Sequence, residues 1–114
     1  MAKKILLLSR TLSTRTLLEI GLNQEFEVTA VSNETWAFQA FTTIRPDLVI
    51  VDSGPLGSPP IRVLYEFQYR HDRPPIILLT EPEQNADSVG AGADKVLVKP
   101  VTPEEVLAVV RTLL

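Results

Sequence analysis

Cysteine is absent from this 114-residue chain, and histidine occurs once, at His71. Without cysteine there is no disulfide framework, no thiol nucleophile and no zinc site built on thiolates. A single histidine weakens metal or triad chemistry, and within Arg70-His71-Asp72-Arg73-Pro74 it reads as a solvated loop residue. Long apolar runs are also missing. After Met1-Ala2-Lys3-Lys4 come only four apolar residues, too few for a signal-peptide core or a membrane span, so the expected location is the cytoplasm with no membrane contact. Nor is there an excess of positive charge. Eleven Lys and Arg stand against fourteen Asp and Glu, with both signs interspersed and a net charge of −3. That leaves no basic stripe to neutralise phosphates, and nucleic-acid binding by this domain is not expected.

What is present is apolar mass: 45% of residues are hydrophobic and 22% charged, enough for one self-supporting core over residues 1–114. Short apolar runs of strand length lie at Ile5 to Leu8, Val28 to Val31, Leu48 to Val51, Ile76 to Leu79 and Val96 to Val98. The third and fourth are continuously apolar, as central parallel strands covered on both faces should be. Helical stretches alternate with them at Thr11 to Leu22, Asn33 to Ile44, about Ile61 to Tyr69, weakly at Asn85 to Ala91, and at Pro103 to Leu113. On the second, Trp36, Ala37, Ala40, Phe41 and Ile44 mark one amphipathic face, so Trp36 is expected in the core. The last opens with Thr102-Pro103-Glu104-Glu105, a hydroxyl cap, a first-turn proline and a glutamate three residues after the cap. Gly54-Pro55-Leu56-Gly57-Ser58-Pro59-Pro60 is a stiff loop, not a linker. Five strand-helix units imply an α/β, doubly wound, five-stranded parallel sheet flanked by helices, with any site at the carboxyl ends of its strands.

Those ends carry Ser9-Arg10, Asp52, Thr80 and Lys99-Pro100. Asp52, at the rim of a buried strand, needs a cationic partner in Lys99 or Arg10. Thr80 reads either as a loop hydroxyl satisfying backbone groups or as an anion ligand.

The chain resembles the receiver domain of bacterial two-component response regulators over essentially its whole length, in a flavodoxin-like fold. The resemblance rests on Lys4-Ile5-Leu6-Leu7-Leu8, Pro46-Asp47-Leu48-Val49-Ile50-Val51-Asp52, Pro75-Ile76-Ile77-Leu78-Leu79-Thr80 and Gly92-Ala93-Asp94-Lys95-Val96-Leu97-Val98-Lys99-Pro100, in that order. It implies that Asp52 stands where a histidine kinase delivers a phosphoryl group. By the same resemblance Thr80 stands where a hydroxyl binds phosphoryl oxygens, Lys99 where a lysine pairs with the acid, and Lys99-Pro100 should be cis.

The departures are as informative as the matches. Receivers carry two adjacent acids after the first strand that hold Mg²⁺ with the phosphoacceptor; here Ser9 and Arg10 replace them, so Mg²⁺ binding is expected to be lost. Without the ion, two anions at about 4 Å repel by ~4 kcal/mol at an effective dielectric near 20, almost a thousandfold in rate. Arg10 is expected to pair with Asp52 and block it; the alternative is a working phosphoacceptor in which Arg10 replaces the metal. Glu81, long and acidic, follows Thr80 where a small residue is usual and should repel phosphate. Val96 stands where receivers carry a switching aromatic.

Two weaker signals remain. Ser9-Arg10-Thr11-Leu12-Ser13-Thr14 leads into a helix as an ordinary cap or an anion loop, and the latter would suit a small anion- or nucleotide-binding flavodoxin-like protein. Val106, Leu107, Val109, Val110, Leu113 and Leu114 make a stripe wider than one buried face. It reads as a face for a homodimer or protein partner, or as the fraying end or cut point of a longer chain. The expected function is that of a non-enzymatic pseudo-receiver without cofactor, signalling by contact with a histidine kinase or another signalling protein.

Overall fold

Runs of branched and leucine side chains form five strands: β1 (Lys4–Leu8), β2 (Glu27–Val31), β3 (Leu48–Asp52), β4 (Ile76–Thr80) and β5 (Lys95–Val98). The computed structural model describes residues 2–53, 64, 66, 67, 73–82 and 92–114. All strand pairs are parallel, in the order β2-β1-β3-β4-β5. Every residue of β3 and β4 is buried, whereas the edge strands β2 and β5 are only partly covered. The continuous apolar runs therefore occupy inner positions, as two-sided burial requires.

Side-chain alternation along the strands divides the core in two. Ile5, Leu7, Leu48, Ile50, Ile77 and Leu79 face α1 (Leu12–Leu22) and α3 (Pro103–Leu113). Leu6, Leu8, Val49, Val51, Ile76 and Leu78 face α2 (Glu34–Ile44) and the helical residues Leu64 and Phe67. Phe67 is fully buried, stacked on Phe41 at 4.4 Å between centroids and edge-on to Phe38 at 5.7 Å.

The capping box of the last helix is as the sequence predicts, and α2 begins one residue later than expected, with Asn33 as its cap. Asn33 caps α2 by accepting from Trp36 N at 2.9 Å. At α3, Thr102 and Glu105 form a reciprocal capping box with Pro103 in the first turn. Two aspartates pin the amino edge of the sheet. The Asp47 carboxylate accepts from Lys4 N at 2.8 Å while its own amide donates to Lys4 O at 2.7 Å. Asp94 does the same to Ile76, at 2.7 and 2.8 Å. The Pro46-Asp47 and Ala93-Asp94 motifs thus register β1 against β3 and β4 against β5, at the end opposite the strands' carboxyl termini.

Gly21 sets the approach of α1 to α3: a Cβ there would lie 2.5 Å from Pro103 Cβ, a clash two rigid groups cannot relieve without moving the helices. Gly92, with φ 93°, takes a left-handed conformation that glycine adopts without steric cost. Its carbonyl accepts from Arg73 Nη2 at 3.0 Å.

Two expectations need correction. Trp36 is 55% exposed; it lies one residue round the helix from fully buried Ala37, and Ala37 and Phe41, not Trp36, cover the sheet. The stripe on α3 is spent largely inside the domain. Val106 and Val110 are buried, and Leu107, Val109 and Leu113 pack partly buried against the same core, leaving Leu114 exposed. The Gly54–Pro60 loop, His71, the weak helix at Asn85–Ala91, and all of the helical stretch expected at Ile61 to Tyr69 except residues 64, 66 and 67 lie outside the described residues.

Candidate functional site

The carboxyl ends of β1, β3, β4 and β5 bring Ser9, Asp52, Thr80 and Lys99 together. Hydrogen bonds of the sheet extend past the strands to hold these residues in place: Ser53 N donates to Leu79 O at 2.9 Å and Lys99 N to Thr80 O at 2.8 Å. The peptide bond Lys99-Pro100 is cis, as expected.

Asp52 is 4% exposed, with both carboxylate oxygens engaged. The Lys99 ammonium lies 2.5 Å from Oδ1, and the Ser9 hydroxyl donates to Oδ2 at 2.9 Å. Ser9 Oγ also accepts from Thr11 N at 3.3 Å, which ties the acid to the start of α1. The same ammonium lies 2.7 Å from Glu81 Oε1. Lys99 therefore sits between two carboxylates. Burial works against its charge, but hydrogen bonds and attraction from Asp52 and Glu81 outweigh that, and the ammonium is held above its usual pKa. Thr80 is fully buried, and its hydroxyl has no hydrogen-bond partner among the described residues.

Arg10 also departs from expectation. It does not pair with Asp52: it is exposed, and its guanidinium lies 3.7 Å from Glu34 Oε1 at the start of α2. A guanidinium that can stay hydrated gains little by entering a site where Lys99 already supplies the cation. Arg15, not Arg10, reaches back toward β1, donating to Ser9 O at 2.9 Å. Val96 is half-buried against the α2-side core and carries no aromatic ring.

Mg²⁺ has few suitable ligands here. Among the described residues no group of three or more acidic, histidine or cysteine side chains is placed to hold a metal. Ser9 and Asp52 offer oxygens, but both Asp52 oxygens are already bonded. Mg²⁺ keeps several waters and is ordinarily held by one or two carboxylates; the carboxylates described here, Asp52 and Glu81, are already bonded to Lys99.

Sequence reasoning identified the members of the site but missed two of its bonds. Ser9 registered only as a lost acid, although its place beside Asp52 on the neighbouring strand was the signal for a hydrogen bond. Glu81 registered only as a repelling charge, although Lys99 follows the adjacent strand β5.

A doubly wound sheet with an acid at the end of β3 bonded to a lysine after β5 defines a receiver-type signalling domain. The chain belongs to the response regulator receiver domain family, whose profile matches residues 10–111. It is 31% identical over 118 residues to the alkaline phosphatase synthesis transcriptional regulatory protein PhoP of Bacillus subtilis, covering 100% of this chain and 49% of that protein. It is 34% identical over 119 residues to the DNA-binding response regulator MtrA of Mycobacterium tuberculosis, covering 97% and 50%. The chain thus spans about half the length of these curated relatives. Among solved structures, the chemotaxis response regulator of Vibrio cholerae superposes with TM-score 0.86 at 22% identity over 100% of both chains. A response regulator receiver modulated diguanylate cyclase from Pelobacter carbinolicus gives TM-score 0.79 at 28% identity, over 96% of this chain and 90% of that one. Receiver domains of this family work in two-component signalling, through contacts with histidine kinases and other proteins. Among the described residues no helix is long and apolar enough to cross a membrane.

Proposed function

We propose that this receiver domain is a pseudo-receiver: a non-enzymatic cytoplasmic module that signals by contact with a kinase or another signalling protein, without Mg²⁺-dependent phosphorylation. The observation that carries this reading is the hydrogen bond from Ser9 Oγ to Asp52 Oδ2 at 2.9 Å. A hydroxyl holds the acid where the family places metal-binding carboxylates. Phosphoryl transfer to an aspartate depends on neutralising charge on the equatorial oxygens, and neither Ser9 nor the outward-turned Arg10 supplies that. A homodimer belongs to the same proposal, and the net charge of −3 favours protein over nucleic acid as partner.

The test is a Mg²⁺ titration followed by thermal melting and by the amide NMR signals of Ser9, Asp52 and Ser53. At millimolar ion the expected result is no change in Tm and no site-specific shift. A saturable shift confined to those three amides would refute the proposal. The reading in which Arg10 replaces the metal gains no support from a guanidinium facing Glu34.

A further inference from the structure

We propose that Glu81 is a second brake on Asp52, beside the acids lost at positions 9 and 10, because it holds the Lys99 ammonium that an incoming phosphoryl oxygen would need. This rests on the pseudo-receiver reading and assigns that brake to a particular side chain. Glu81 follows β4 and could extend into water. Instead its side chain, 19% exposed, folds back onto the ammonium of a lysine whose side chain is only 13% exposed, at 2.7 Å. A surface carboxylate gains little from such a pair unless the partner is desolvated and fixed; here Asp52 fixes it from the other side at 2.5 Å. One positive charge is thus shared by two negative ones. Thr80, immediately before Glu81, keeps a buried hydroxyl with no partner among the described residues, while the cation beside it is taken. Glu81 and Lys99 also line the open groove of about 500 Å³ that runs between the start of α1 and Pro100. An anionic donor approaching along it meets the carboxylate of Glu81.

The blocked step is attack of an Asp52 oxygen on the phosphorus of an acyl phosphate. A new O–P bond forms, the donor's P–O bond breaks, and the carboxylate leaves with the electron pair. Glu81 opposes this by like charge and by occupying Lys99.

The test is intact mass of the native chain, Glu81→Gln and Glu81→Ala after incubation with acetyl phosphate, with and without Mg²⁺. Glu81→Gln keeps the size and removes the charge, and thermal melts establish that each variant is folded. The expected result is a phosphoryl adduct in both variants at a level at least about tenfold above native, lost when Asp52→Asn is added. Adduct no greater than native in either folded variant would overturn the assignment to Glu81 and leave the pseudo-receiver reading standing. Robust adduct on the native chain itself would instead overturn the pseudo-receiver reading, and an equal yield in the variants would overturn both.

Discussion

Lys99→Met is expected to lower the stability of the domain at neutral pH by about 3 kcal/mol, because removing one member of a buried ion pair strands the other. The Asp52 side chain has no solvent exposure and its Oδ1 rests on the ammonium, so a methionine of similar length leaves the carboxylate without its counterion. Adding Asp52→Asn to the same chain should recover about 1–2 kcal/mol, since an uncharged amide does not need a cation. The pH dependence follows from the direction of the Lys99 shift. Its folded-state pKa lies above the ordinary 10.5, so its stabilising contribution is fully present below that value and is lost as pH rises through the folded pKa. Urea denaturation from neutral to strongly alkaline pH should therefore show the native chain and the double variant converging above about pH 10.5. A constant difference between them would contradict the pairing.

Ser9→Asp combined with Arg10→Asp is expected to produce the largest gain of function. In the absence of divalent ion the new carboxylate at position 9 replaces a hydroxyl that donates to Asp52 Oδ2, and like-charge repulsion should lower Tm. Mg²⁺ should reverse that loss, because three carboxylates now converge where hard oxygen ligands are required. Neutralising about 4 kcal/mol of repulsion corresponds to a gain of almost a thousandfold in phosphorylation of Asp52 by acetyl phosphate. Tm measured against Mg²⁺, with the native chain as control, checks the first part. Mass spectrometry against time checks the second. A double variant that neither binds the ion nor takes phosphate would mean that the two lost acids are not what separates this chain from phosphorylated receivers.

The sheet was legible because its inner strands are continuous apolar runs, Leu48-Val49-Ile50-Val51 and Ile76-Ile77-Leu78-Leu79, for which burial on both faces is the only inexpensive arrangement. The cap of α3 was legible for a local reason: Thr102 and Glu105 act three residues apart. Trp36 was misread because hydrophobicity at helical spacing gives the face of α2 to within about 100°, the rotation between neighbouring residues. Ala37 alone lies at its centre. Membership of the site was legible because Asp52 and Thr80 end their strands and Ser9 and Lys99 follow theirs, and the sheet order makes those ends adjacent. The partners within it were not. Whether Asp52 pairs with Lys99 or Arg10 depends on which cation can stay hydrated, and Glu34, far from Arg10 in sequence, lies near enough to hold it outside. Glu81 illustrates the same limit: its charge was visible in the sequence, but the ammonium it reaches depends on the path of the chain through β5.

The most direct measurement is the intact mass of the native chain after prolonged incubation with acetyl phosphate and Mg²⁺, with Asp52→Asn alongside. The account predicts that each chain keeps its own unmodified mass, with no phosphoryl adduct on either. A phosphoryl adduct present on the native chain and absent from Asp52→Asn would contradict it and make this domain a working phosphoacceptor.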